Sequence, residues 1–198
     1  STHFSPTLFA LALEALLLKE GVTLRLDILA ASPRVEAGRV TGVIAESKSG
    51  RELFPSQVVV DATGDADLLY RAGVPCVEGQ NFLSVVAHYA DQAGMEAGAG
   101  QRNTLRLRRW INPASDMRGK GHPEGFPRYA GVRNEEVTDF LLAGHRMLLD
   151  RVAREDRFAR DILTLPGMAQ FRTTRRLDGG HVLTAADART HQADSIGL

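Results

Sequence analysis

The sequence predicts a mixed α/β (α+β) protein. Three observations carry that expectation. An apolar helical segment runs over 6–20. A set of short alternating segments with glycine turns follows it. A charge-patterned amphipathic helix lies near 134–152. The composition is globular, with 198 residues, 43% apolar and 24% charged. Lys plus Arg (24) balances Asp plus Glu (24), so no net positive field drives non-specific nucleic-acid binding. The single cysteine, Cys76, closes no internal disulfide and builds no cysteine-rich metal site, and a lone thiol fits a cytoplasmic protein. The longest apolar stretch, 6–18, falls short of the roughly 20 residues of a membrane span.

The elements follow in order. Ser5 is a good N-cap and Pro6 suits the first helical position. The residues after it leave almost no polar face, which predicts a helix buried on most sides, stopped by Gly21. The segment 22–31 alternates as a strand and Val35 continues it. Turns at Ala37-Gly38 and Ser49-Gly50 then separate strands at 40–47 and 51–54, a three-stranded antiparallel meander. Val58-Val59-Val60 predicts a parallel strand buried on both faces. It runs into Asp61-Ala62-Thr63-Gly64, with Asp65 as cap of a helix over 66–72 that Gly73 stops. Beyond residue 80 the pattern predicts a strand at 82–90, a Gly/Ala-rich loop at 91–103, weak alternation over 105–111 and a long loop at 112–131. A helix capped by Asn134 follows, with Val137, Phe140, Leu141, Leu148 and Val152 as its buried stripe. Pro166-Gly167 closes that region, 171–183 reads as extended, and Thr184 to Asp187 opens a last short helix.

Charge is uneven along the chain. Residues 1–80 carry 7 basic and 10 acidic side chains, and 81–198 carry 17 and 14, with 16 of those 17 being Arg. Arg suits planar contacts to carboxylate or phosphate. The cluster Arg102, Arg106, Arg108, Arg109 and Trp110 is too thin for a nucleic-acid surface in a neutral chain. Standard catalytic motifs are missing. Gly98-Ala99-Gly100 lacks a preceding strand and a third glycine, no serine sits in a hydrolase elbow, and the histidines have no zinc spacing. No metal is expected, and no residue is assigned a catalytic role. Asp61, Asp65 and Asp67 read as capping residues rather than an acid–base pair.

With those residues in view, the segment from about Leu8 to Glu78 resembles the middle of an FAD-dependent oxidoreductase of the glutathione-reductase-like flavoprotein superfamily. In particular it resembles the bacterial FAD-dependent oxidoreductase group that is distantly similar to the flavin subunit of heterodisulfide reductases. The matching features are the helix 6–20, Gly21-Val22, the meander, Val58 to Asp67 and the run Ala72-Gly73-Val74-Pro75. A second resemblance covers Phe171 to Gly180, with Val182-Leu183-Thr184 and Asp187, against that group's Arg-x-Thr-Arg-Arg segment. Here Thr173 replaces a commonly acidic residue, and the stretch between Pro166 and Arg172 is short.

The resemblance implies a partial FAD/NAD(P)-binding fold over 1–80, the middle part of an FAD-binding domain, with a substrate-domain portion over 81–198. It implies FAD as cofactor of a longer parent, contacted by Ala30, Ala62, Thr63, Gly64 and Asp65, with Arg175 and Arg176 toward an anionic small-molecule substrate. On a strand these two arginines point to opposite faces, so at most one faces a site directly. The family's first Gly-rich turn and its last flavin-contacting segment have no counterpart, and Ser1 replaces an initiator Met. The expectation is an internal piece, inactive alone and binding FAD weakly or not at all. The other reading is a self-standing α+β binding module whose Ala-Thr-Gly turn is only structural.

Overall fold

The computed structural model describes residues 5–101 and 107–180, together with 182, 184 and 187. The protein is α+β, and every strand pair among the described residues is antiparallel.

Helix α1 spans Pro6–Lys19, with the Ser5 hydroxyl accepting from the Leu8 N–H. It ends as its sequence demands: Gly21 takes φ +76°, and the Gly21 and Val22 N–H groups close on Leu18 and Leu17 carbonyls. The expected burial is corrected. No residue of α1 is buried, and Leu8 is 67% exposed. An apolar run specifies what a helix can bury, but burial needs a facing surface, and none of the described elements provides one here.

The meander forms as expected, with β1 (Leu29–Glu36), β2 (Arg39–Ser47) and β3 (Gly50–Pro55) in that order. Ala37 and Gly38 both have positive φ, the geometry of a tight hairpin turn. Gly42 in β2 lies against the backbone of Phe54 and Pro55, where a Cβ would collide. The strand expected over 22–31 is corrected: pairing begins only at Leu29, because Asp27 sits at φ +55° and interrupts the extended run. Val58 to Val60 is a second correction. It joins no ladder, and Val58 and Val60 are 78% and 84% exposed, so the buried parallel strand is not formed within the described residues.

Short helix α2 (Asp67–Arg71) follows the Gly64 turn and is stopped by Gly73 at φ +84°. Strand β4 (Cys76–Glu78) pairs with β8 (Arg175–Leu177). The third sheet has the order β6 (Arg109–Ile111), β5 (Ala87–Ala90), β7 (Asp161–Thr164). The expected strand 82–90 is therefore confined to its last residues, yet Leu83, Val85, Ala87 and Tyr89 still alternate inward. The weak alternation of 105–111 yields only β6. Residues 91–103 are corrected from loop to helix over Gln92–Gln101, named α3. The Asp91 carboxylate caps it by accepting from the Gly94 N–H at 2.7 Å. The loop 112–131 is as expected. Helix α4 (Asn134–Val152) starts with Arg133, not Asn134, at the cap position. Among the described residues of the segment 171–183, only β8 pairs as strand. The last expected helix lies mostly outside the described residues, although the Thr184 N–H donates to the Asp187 carboxylate as a capping box requires, and the Thr184 hydroxyl donates to it as well.

The core sits beyond residue 80. One cluster is Leu83, Val85, Tyr129 and Phe140; a second is Ala87, Tyr89, Ile111 and Leu148. Helix α4 contributes to both. Phe140 lies edge-on to Tyr129 and 4.5 Å from the Phe171 ring centroid. Gly144 lets α4 approach Val85 so closely that a Cβ would overlap that side chain. Buried Asn81 ties three segments together. Its amide nitrogen donates to the Tyr129 and Thr173 carbonyls, and its oxygen accepts from the Arg172 and Thr173 N–H groups.

Candidate functional site

The turn Asp61 to Asp67 is organised by its own side chains. Asp61 Oδ1 accepts from the Thr63 N–H at 3.0 Å and from the Thr63 hydroxyl at 2.7 Å. Its Oδ2 accepts from the Leu69 N–H at 2.9 Å, and Thr63 Oγ1 accepts from the Asp67 N–H. Asp61 and Thr63 thus cap α2. The expectation that Asp65 caps it is corrected, since Asp65 lies at a kink where Gly64 has φ +91° and Ala66 φ +51°. Burial pushes the Asp61 carboxyl up, but the donors from Leu69 and Thr63 outweigh it and hold the group below the usual carboxylate range.

The segment after residue 170 closes onto this turn. The Thr174 hydroxyl donates to the Asp65 carboxylate. Arg175, 8% exposed, donates from Nη1 to Asp67 Oδ1 at 3.1 Å and to the Asp65 carbonyl at 3.4 Å. Its guanidinium carbon lies 3.9 Å from the Tyr70 ring centroid. Its Nε is buried without a hydrogen bond, with Glu78 Oε1 at 4.0 Å. On the other side, Arg71 Nη1 donates to the Ala31 carbonyl at 2.7 Å and reaches the Ala30 carbonyl at 3.5 Å. Arg71 also lies 3.9 Å from Asp67.

One network therefore links three of the expected site residues, Ala30, Asp65 and Arg175. Ala30 connects through Arg71 and Asp67 to Arg175, which reaches back to Asp65. Ala62, Thr63 and Gly64 line the exposed edge of the turn, and nothing lies within 4 Å of where a Gly64 Cβ would stand. The two arginines split as strand alternation requires: Arg175 is buried, and Arg176 is exposed, with a hydrogen bond to the neighbouring Leu177 carbonyl. Sequence reasoning missed Arg71, Tyr70 and the pairing of Arg175 with Asp67. The last joins residues 108 apart in the chain and leaves no local signal.

Two surface clefts among the described residues lie elsewhere. One of about 410 Å³ is bordered by Arg25, Asp27, Lys48 and Glu52. Another of about 340 Å³ lies between the 125–129 loop and the Asp139–Arg146 face of α4. Neither includes the turn. Among the described residues no cluster of three or more His, Cys, Asp or Glu is placed to hold a metal ion, and no helix is long and apolar enough to cross a membrane.

Comparison with known families finds that a model described as FAD dependent oxidoreductase matches residues 1–85. No curated protein and no solved structure matches the chain. The matched segment contains α1, the meander, the Asp61–Asp67 turn and α2, and it relates that part of the chain to flavin-dependent oxidoreductases.

Proposed function

We propose that the chain supplies the middle part of the FAD-binding unit of a flavin-dependent oxidoreductase, with residues 1–80 on the cofactor side and 81–198 toward the substrate. The observation that carries this reading is that the family match coincides with the segment holding the open Gly64 turn. Within that broad family, the helix, meander and Asp-Ala-Thr-Gly-Asp order favours the glutathione-reductase-like group distantly similar to heterodisulfide reductase flavin subunits.

The residues of the turn fit one part of the cofactor better than another. Asp61, Asp65 and Asp67 crowd the start of α2, whose free N–H groups are already taken by Asp61 and Thr63. A phosphate would be repelled there, whereas a hydroxyl-bearing or flat uncharged group can approach the exposed backbone at Ala62, Thr63 and Gly64. Ala30, on the neighbouring strand and connected through Arg71, supplies a second backbone edge. FAD, when bound, accepts a hydride or electrons; the chain's part is to hold and orient it. Exposed Arg176, beside the buried Arg175, offers paired N–H groups to an anionic small molecule.

The unpaired, exposed Val58–Val60 segment and the apolar, exposed α1 support the view that further chain completes this unit. On that view the 198 residues alone are inactive in a reducing, cytoplasmic setting. A self-standing α+β binding module remains the second reading, favoured only by the closed core beyond residue 80.

Two measurements test the proposal. Titration of FAD fluorescence with the 198-residue chain should show weak binding or none; tight stoichiometric binding would show that the chain needs no completion. The longer protein should carry flavin absorbance, and Gly64→Val should lower its flavin occupancy, because the new side chain enters the open edge and strains a left-handed backbone. A longer protein that is colourless and takes up no flavin would overturn the reading.

A further inference from the structure

We propose that Arg175 is a positioning residue for the Asp61–Asp67 turn: its buried guanidinium, clamped on Asp67 and the Asp65 carbonyl, lets strand β8 set the conformation of a turn more than a hundred residues earlier in the chain. The proposal deepens the cofactor-side reading of the turn and rests on it for its functional meaning. The latch itself is read from side chains alone.

The geometry is specific. The turn carries one backbone conformation that costs energy, Ala66, a residue with a Cβ, at φ +51°, beside Gly64, which takes φ +91° without penalty. Such conformations persist when their surroundings over-determine them. Here the surroundings are Thr174 on the Asp65 carboxylate, Arg175 on the Asp65 carbonyl and Asp67, and the Tyr70 ring against the guanidinium. The ladder between β8 and β4 fixes where Arg175 stands, with Glu78 directly opposite it. A buried cation persists when its hydrogen bonds are met, and here Nε is left over, 4.0 Å from Glu78. The clamp therefore depends on Asp67 and Asp65, so losing either end leaves the turn to the bonds of Asp61 and Thr63.

Two consequences follow. Residues 174–177 work with the cofactor-side unit although the family match ends at residue 85. Of the arginine pair, Arg175 is committed to the turn, which leaves Arg176 to meet an anion.

Amide hydrogen exchange on the 198-residue chain tests this without any flavin. Arg175→Met should speed exchange across 61–71 by about tenfold and leave β2 within about twofold, since local opening can be separated from global unfolding. Arg175→Lys keeps a cation near Asp67 but loses the planar face on Tyr70, so exchange across 61–71 should fall between the parent and Arg175→Met. Asp67→Asn, at a half-exposed site, should reproduce the local effect of Arg175→Met, and combining the two should add nothing further. Equal acceleration everywhere, equal behaviour of the Lys and Met variants, or additive effects of Asp67→Asn and Arg175→Met would each overturn the latch. If Arg175→Met does not fold, the Lys and Asn variants decide alone. A colourless longer protein would remove the cofactor reading and leave this exchange result standing.

Discussion

Asp61 shows how one side chain can define a turn. Its two oxygens take three donors from Thr63 and Leu69, and those donors, against the opposing effect of burial, hold its carboxyl below the usual range. A carboxyl depressed in the folded state contributes stability above its unfolded value, near 3.8, and loses it as pH falls through the lower folded value. Asp61→Asn turns one acceptor into a donor facing another N–H. It should cost about 1–2 kcal/mol at neutral pH. Urea unfolding at pH 7 and pH 3 checks it: the gap between wild type and variant should narrow at the lower pH. The capping role of Asp61 was legible in the sequence. That Asp65 would instead reach Thr174 was not, because its partner lies 109 residues away. The opposite facing of Arg175 and Arg176 was legible from strand alternation; which of them would be buried was not.

At the scale of elements, local pattern and burial part company. Helix α4 buries Phe140 and Leu148 of its expected stripe and leaves Val137, Leu141 and Val152 half-buried, with Phe140 fully buried between Tyr129 and Phe171. Phe140→Ala should cost about 3–5 kcal/mol, measured as a lower urea midpoint with an unchanged slope. The meander was readable because each turn carries its own glycine and each strand pairs with its sequence neighbour. Helix α3 was hidden by its glycines, which argue for a loop, although Asp91 gave the capping signal. Strand β7 was missed because it pairs with β5 across more than seventy residues. Val58–Val60 fits a strand by composition alone; a ladder also requires a partner with free N–H and C=O groups alongside.

Across the whole molecule, the apolar residues are divided unequally. The buried clusters lie beyond residue 80, while α1 displays Leu8, Leu11, Leu16 and Leu18 at the surface. Leu8→Lys/Leu11→Lys should shift the unfolding free energy by less than about 0.5 kcal/mol, as exposed helix positions do. The same pair should reduce concentration-dependent association in sedimentation velocity. A large loss of stability would mean that α1 packs against the body of the protein. Buried Asn81 places a different demand on the chain. Its amide needs Tyr129, Arg172 and Thr173 to satisfy it. On a ribosome adding about 5–20 residues per second, the last of those partners, Thr173, arrives roughly 5–20 s after Asn81 itself. Through that interval the core around Leu83 and Val85 has to wait with an unmet polar group at its edge, so the nascent protein is most exposed to chaperones and proteases while the stretch between residues 81 and 173 is being made.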